Sequence, residues 1–506
     1  MIMENFAPIM FAGLVLTMLI GFPVAFSLAF LGLACGLFAI SMDWFPVSFM
    51  SNLPLNIFGI LSNDLLLAIP FFTFMGAILE KCGLAEDMLD SMGQLFGTVR
   101  GGLGYSVIIV GFILGAITGT VAGQVIAMAL ISLPVMIRYG YNMRYATGVL
   151  AASGTITQLV PPSLVLVVMA DQLGRSVGDM YKGAWGPSML QVGIFALYTF
   201  GLGLIKPDHV PGIPKEARTA DGFHLWMKCL RGIIPSAFLI FAVLGSMGGL
   251  PGINTAIATP TEAGAMGCVG ALILAAIHNR LDKDLIWEAM HSTMRLTAMV
   301  VFILIGSRVF SMVFQGVDGA KWVEHLLTGL PGGVVGFLIV VNIFIFFLAF
   351  FLDFFEIAFI ILPMLGPVAE KMGIDMVWFG VLLCVNMQTS FMHPPFGFAL
   401  FYLRGIADTL FKEGRIEKPV KSNDIYMGAI PWVIMQLILV VIVIFVPETV
   451  TMFLDKEEKV DLDKVVIEMP TEQEVPEAEL KLEGAKASEG ETSAQEQKRM
   501  EDLFKK

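Results

Sequence analysis

From Leu103 to Ile137 the chain runs for 35 residues without a charged side chain. As one straight helix this run would be about 50 Å long, whereas the hydrocarbon core of a bilayer is about 30 Å thick. The run therefore has to break or fold back, and Gly115-Ala-Ile-Thr-Gly-Thr120 supplies small and polar residues for a tip. Leu326 to Ala369 is longer still, 44 residues with only Asp353 and Glu356 as charges, and the break is expected at Phe351-Leu-Asp-Phe-Phe-Glu356. Both runs read as re-entrant or tightly packed helical hairpins. Lipid satisfies no free backbone group, so non-helical backbone at such a tip has to be buried in protein or line a wet cavity.

Composition extends this to the whole chain. It is 56% hydrophobic and 15% charged, with a mean hydropathy of +0.79, outside soluble usage and expected of an all-α polytopic membrane protein. Apolar runs lie near residues 6–40, 54–80, 103–137, 145–170, 187–205, 231–250, 255–278, 296–315, 326–369, 376–402 and 428–446. The net charge of -12 is concentrated at one end: residues 448–506 carry 17 acidic and 9 basic side chains, leaving a nearly neutral membrane body and a polar tail expected to be disordered. Basic residues are scattered among loops, which argues against nucleic-acid binding. Five dispersed cysteines show no metal-ligand spacing. No Lys or Arg precedes Lys81, so the first run reads as a retained helix and not a signal peptide.

Two segments, Ser153-Gly-Thr-Ile-Thr-Gln-Leu-Val-Pro-Pro-Ser163 and Asn386-Met-Gln-Thr-Ser-Phe-Met-His-Pro-Pro-Phe-Gly397, each put a Pro-Pro pair inside an apolar stretch. Proline removes a backbone donor and displaces the carbonyl four residues earlier, so Pro161 and Pro162 free Thr157 and Gln158, and Pro394 and Pro395 free Ser390 and Phe391. The two pairs are 233 residues apart, and another proline pair, Pro23 and Pro260, is 237 apart. This offset predicts a duplication: a first membrane repeat at 1–205, a connector at 206–230, a second repeat at 231–447 and the tail at 448–506. Each half is expected to cross an odd number of times, which makes the repeats inverted. Lys206, Lys215, Arg218 and Lys228 put the connector in the cytoplasm and both termini outside. Paired interrupted helices in matching places of two halves point to a transporter's binding site.

Together, Thr259-Pro-Thr-Glu-Ala-Gly264, Gly154-Thr155 to Pro161-Pro-Ser163, Phe351-Leu-Asp353 and Pro394-Pro-Phe-Gly397 resemble the large membrane subunit of TRAP transporters, the tripartite ATP-independent periplasmic systems. The resemblance covers residues 6–447. It implies sodium-driven uptake across a bacterial inner membrane, with a periplasmic binding protein delivering an organic acid to this permease and a small four-helix subunit. The implied fold is an elevator, in which two hairpins and two broken helices move against a scaffold. Thr157, His393 and the tip Thr118-Gly119-Thr120 depart from the commoner family residues, and the departures bear on substrate.

Sodium requires several oxygen ligands in a rigid cage. Freed carbonyls beside Thr118, Thr120, Ser153, Thr155 and Thr157 are one candidate set, and Gln388, Thr389 and Ser390 near Asp353 are another. The same hydroxyls also suit simple capping of broken helix ends. Ser163 and the backbone beside Pro162 and Pro395 are candidate substrate contacts, because helix N-termini attract carboxylates. Asp353 is read as an ion or substrate ligand or as a structural partner of Arg308, and Arg308 as an anion contact or a neutralising cation. Glu356 is left as a water-facing acid, Glu262 as a scaffold hydrogen-bonding group and His393 as a neutral support of broken backbone.

No zinc-protease motif and no nucleotide-binding loop occur, so an enzyme and direct ATP energisation are both disfavoured. No cofactor is expected beyond Na⁺ as coupling ion. The competing reading is a self-sufficient sodium–carboxylate symporter of related fold that needs no binding protein.

Overall fold

The computed structural model describes residues 6–214, 222–253, 255–393 and 397–454, with backbone alone at 84–86. Pro394, Pro395 and the expected tail beyond residue 454 lie outside the described residues, while the start of that tail, Glu448–Thr451, forms a helical turn. Every regular element among those described is helical.

The expected 6–40 run is two helices, α1 (Phe6–Ile20) and α2 (Val24–Ser41), parted at Gly21, whose φ of 95° favours glycine. After a short turn come α3 (Leu53–Leu61) and α4 (Asp64–Lys81), bent by 46° where Asn63 caps α4 by accepting the Leu65 N–H. The next helix, α5 (Leu84–Phe96), is amphipathic: Met88, Leu89 and Met92 are buried while Asp87 and Asp90 are exposed. The long apolar run then folds back as α6 (Gly102–Thr118) and α7 (Val121–Arg138), turning at Gly119 with φ 62°, inside the expected tip. Next, α8 (Met143–Thr155) ends in a 3-10 turn at Ile156–Gln158, and α9 (Leu164–Leu173) resumes after the two prolines. The half closes with α10 (Val177–Ile205).

The second half begins with α11 (Gly222–Ser246), so helix replaces part of the connector expected to reach residue 230. It continues with α12 (Pro260–Ile277), α13 (Lys283–Gly316) and the amphipathic α14 (Gly319–Thr328), which turns by 118° into α15 (Gly333–Leu348). The second long run breaks where expected, and α16 (Phe354–Glu356) passes through a π turn, Ile357–Ile361, into α17 (Leu362–Lys371). A second interrupted helix follows, α18 (Met376–Met387), a 3-10 turn at Gln388–Met392 and α19 (Phe398–Lys412), and then α20 (Ser422–Phe445). Among the described residues seven helices are long and apolar enough to cross a membrane, with the two bent pairs as further candidates.

The order of elements is the same in both halves, and packing pairs them across the halves. On one side α2 lies along α13, with Gly32 against the backbone of Val309 and Phe310 and Gly36 against Val313. On the other, α12 lies along α4: Thr261 Oγ1 donates to the Asp64 carbonyl at 2.8 Å, and Gly264 and Gly267 meet Phe71 and Met75. In both pairs residue numbers rise together, so the helices are parallel. The α3–α4 segment runs antiparallel to α13, since Asn56 meets Met312 and Lys81 pairs with Glu288.

The remaining helices form an inner bundle. Trp432 of α20 is fully buried between the rings of Phe195 and Tyr198 at 5.0 and 5.2 Å, with Tyr145 at 6.0 Å. Gly148 of α8 makes this packing possible, because a side chain there would strike the Gly428 carbonyl and the Trp432 ring. Outward faces stay apolar and exposed, as with Phe26, Phe30 and Leu37 on α2, which suits contact with lipid.

Candidate ion and substrate site

Both hairpin tips and both interrupted helices gather in the inner bundle. At the first break, Gln124 of α7 is wholly buried; its Nε2 donates to the carbonyls of Gly111 at 2.5 Å and Ser153 at 3.0 Å. Its Oε1 accepts from the Thr157 hydroxyl and lies 3.5 Å from Thr118 Oγ1. Thr155 Oγ1 donates to the Ala152 carbonyl at 2.8 Å and accepts from Gln436 Nε2 of α20 at 2.9 Å. Gln124 thus joins Thr118, Ser153 and Thr157, three of the five expected residues, while Thr155 is held at the same break by Gln436. Thr120 is half-buried at the start of α7 and joins through its backbone, accepting from Gln124 N.

The second break repeats this plan. Gln191 of α10 donates to Gln388 Oε1 at 2.6 Å, just as Gln436 reaches Thr155. Thr389 Oγ1 bonds the Asn386 carbonyl at 2.7 Å, and Asn386 Nδ2 bonds the Asn342 carbonyl of α15 at 2.8 Å. The His393 ring stacks on Phe350 at 4.2 Å and meets Phe346 edge-on at 4.5 Å, joining this break to the second hairpin.

These clusters hold buried polar atoms without a protein partner: the oxygens Ser153 Oγ, Gln158 Oε1, Ser390 Oγ, Gln191 Oε1, Gln436 Oε1 and Asn386 Oδ1, and one amide donor, Gln388 Nε2. A buried orphan oxygen is costly, on the order of 1–3 kcal/mol, unless something binds it. Neutral hydroxyl, amide and carbonyl oxygens at broken helix ends are a fitting donor set for a small hard cation.

Other expected residues make contacts of a different kind. Asp353 caps α16: its carboxylate accepts from Glu356 N at 3.0 Å, and the Glu356 carboxylate accepts from Asp353 N at 2.9 Å. None of the ion pairs among the described residues joins Asp353 to Arg308, and its hydrogen bonds are not to Gln388, Thr389 or Ser390. Thr259 and Glu262 form the same capping box at the start of α12, which is the chemistry of that motif. Ser163 caps α9, accepting from Val165 N at 3.2 Å and donating to the Gln158 carbonyl at 2.5 Å, so one of the carbonyls freed by the prolines is recaptured locally. Pro162 is buried beside it, after a cis bond. Arg308 is exposed in a polar cavity of about 370 Å³ between α3–α4, α13 and the inner bundle. There it faces Asp171 of α9, which is held by Asn63 Nδ2 at 2.7 Å.

Residues 11–449 match the model of the tripartite ATP-independent periplasmic transporter, DctM component. The chain belongs to this DctM family. It is a multi-pass membrane transport protein, not an enzyme. This permease is 29% identical over 458 residues to the C4-dicarboxylate TRAP transporter large permease protein DctM of Rhodobacter capsulatus, covering 87% of this chain and 97% of that one. It is 26% identical to the 2,3-diketo-L-gulonate TRAP transporter large permease protein YiaN of Escherichia coli, covering 85% and 95%. Its fold is similar to that of the YdaH transporter of Alcanivorax borkumensis, with a TM-score of 0.52 at 16% identity over 78% of this chain and 87% of that one.

Gln124, Gln191 and Gln436 were missed by motif reasoning, whereas Gln388 was among the expected residues. A signal existed: Gln191 and Gln436 are 245 residues apart, as are the first residues of α10 and α20, and each is an amide in a long apolar helix.

Proposed function

We propose that this permease couples uptake of an organic acid to Na⁺ at the two interrupted helices, receiving the acid from a periplasmic binding protein and working with a small membrane subunit. The observation that carries the reading is the twofold repetition of an oxygen-rich break, each bound by a glutamine from the last helix of the other half. Thr118, Ser153, Thr155, Thr157 and Gln124 form one Na⁺ site, and Gln388, Thr389, Ser390 and Asn386 the other. Asp353 holds the second hairpin tip for its site. The acid lies between the breaks and Arg308, with helix N-termini at Ser163 and beyond Pro395 as further anion contacts. Relatives named for C4-dicarboxylates and a diketo sugar acid support a carboxylate class.

Inverted repeats are supported by helix direction. Since α2 is parallel to α13, α13 antiparallel to α3–α4, and α4 parallel to α12, helices α2 and α12 run oppositely although they hold equivalent places. The outward termini gain support from charge. Lys81, Arg138, Arg144, Lys228, Arg280 and Lys412 lie at one end of the bundle, and fewer bases, Arg175, Lys321 and Lys371, at the other, so the positive-inside rule makes the first end cytoplasmic.

Elevator motion is supported by unequal grips on the hairpins. On α4, Gly76 meets the Thr118 carbonyl and Glu80 meets Gly123. Offsets of 235 between α5 and α14 and 233 between α7 and α16 make Ser311–Phe351 and Gln315–Glu356 the counterparts, and carry Phe359 opposite Asp318. Instead, Phe359 accepts through its carbonyl from Ser307 Oγ, eleven residues away from Asp318 on α13. At 1.5 Å per residue, exchanging the two grips moves the inner bundle by about 16 Å.

Reconstitution in liposomes tests the proposal. Uptake of a carboxylate should require a Na⁺ gradient, the small subunit and the binding protein, and Arg308→Gln should raise KM for the delivered acid. Full uptake without the binding protein would favour the self-sufficient symporter, and uptake indifferent to Na⁺ would reject the coupling.

A further inference from the structure

Away from the breaks, Lys81, Trp287, Glu288, His291, Arg295 and Met299 line a cavity of about 580 Å³ where α4 meets α13. No charge occurs between Leu65 and Leu79 on α4 or between Leu296 and Ser307 on α13. Because these helices are antiparallel, Lys81 comes level with Glu288 just past the end of the α4 stretch, and Arg295 opens the α13 stretch two helical turns deeper. The Lys81–Glu288 level is the headgroup region of the leaflet at the basic end, which is cytoplasmic in the orientation proposed above.

Its charges do not cancel. Glu288 is taken by Lys81, and no carboxylate among the described residues pairs with Arg295, which is exposed two helical turns inward. Beside it Met294 and Met299 are 60% and 43% exposed, so the guanidinium emerges on a lipid-facing surface. A cation there has to snorkel to a phosphate or be neutralised. Arginine offers a planar fork that fits two phosphate oxygens, His291 and Ser292 supply further donors, and Trp287, 69% exposed, suits the glycerol level of an interface.

We infer that this cavity binds the phosphodiester of an anionic glycerophospholipid from the cytoplasmic leaflet, with Arg295 as its main contact. The phosphate chemistry is shared with free phosphate, but the apolar rim of Met294, Leu296 and Met299 favours a ligand with acyl chains. This site is separate from the transport path and does not depend on the proposed coupling.

Native mass spectrometry of the full chain, titrated with phosphatidylglycerol or phosphatidylcholine, tests the inference. The wild type should retain phosphatidylglycerol preferentially; Arg295→Gln should weaken that retention about fivefold while leaving phosphatidylcholine unchanged. Arg295→Lys should be intermediate, and Lys418→Gln, an exposed cation at the same end, should behave as wild type. Equal retention of both lipids by the wild type, or an undiminished preference in Arg295→Gln, would overturn the site. Displacement of phosphatidylglycerol by millimolar inorganic phosphate would reassign it to a soluble anion. Loss of small-subunit association in Arg295→Gln with unchanged lipid retention would reassign it to a protein contact.

Discussion

Gln191 and Gln436 hold equivalent places in α10 and α20, and each donates an amide hydrogen across the halves, to Gln388 at 2.6 Å and to Thr155 at 2.9 Å. Each leaves its own Oε1 buried without a protein partner. The two breaks are therefore braced by the same device, used twice.

Replacing either glutamine by leucine removes one partner from a buried hydrogen bond and one oxygen from the cluster. The Na⁺ concentration for half-maximal uptake should rise about tenfold in Gln436→Leu and in Gln191→Leu, consistent with roughly 1–3 kcal/mol for such a loss. Sodium titration of uptake in liposomes measures this. An unchanged midpoint in both variants would reduce the glutamines to packing.

The capping box separates two roles for Asp353. An asparagine at an N-cap position serves nearly as well as aspartate, whereas alanine costs about 1 kcal/mol. Asp353→Asn should keep most of its Na⁺-dependent uptake, and Asp353→Ala should lower thermal stability and activity together. A loss of Na⁺ dependence in Asp353→Asn, with stability intact, would instead make the charge a ligand.

Hairpin register can be trapped with cysteine pairs in a cysteine-free background. Ser307→Cys with Phe359→Cys should crosslink in the present arrangement. Ser311→Cys with Phe351→Cys should crosslink only after the inner bundle has moved, and either crosslink should arrest uptake reversibly. If the second pair never forms under turnover, the 16 Å exchange estimated from helix rise is wrong.

Sidedness follows from the charge of the two ends. Cysteine introduced at Lys321, whose side chain is 78% exposed, should react with an impermeant maleimide added to intact cells. Cysteine at Lys418 should react only after the membrane is opened. The reverse pattern would invert the orientation and with it the leaflet of the lipid site.

Much of this arrangement is legible in the chain because it depends on local chemistry. A charge-free run too long for one crossing has to turn, and it does so at Gly119, the residue of the expected tip with positive φ. Prolines at 161 and 162 interrupt α8–α9 for the same local reason, and Thr259 and Asp353 announce helix starts through glutamates three residues on. Even the like order of elements in the two halves shows, since the Pro-Pro pairs lie 233 residues apart, one in each half.

What occupies the breaks was not legible, because hydrogen-bond partners depend on distance in space. Gln436 reaches Thr155 across 281 positions and Gln191 reaches Gln388 across 197, and an amide in an apolar helix does not state which neighbour it will meet. Asp353 illustrates the converse: as an intramembrane acid it invites an ionic role, and only its geometry reveals a helix cap. Sequence by itself thus determined the membrane class, the break points and the twofold plan, all set by lengths and local backbone chemistry. Tertiary structure alone decided which buried oxygens converge and at what height each hairpin is gripped, because those depend on packing between segments that the chain order keeps far apart.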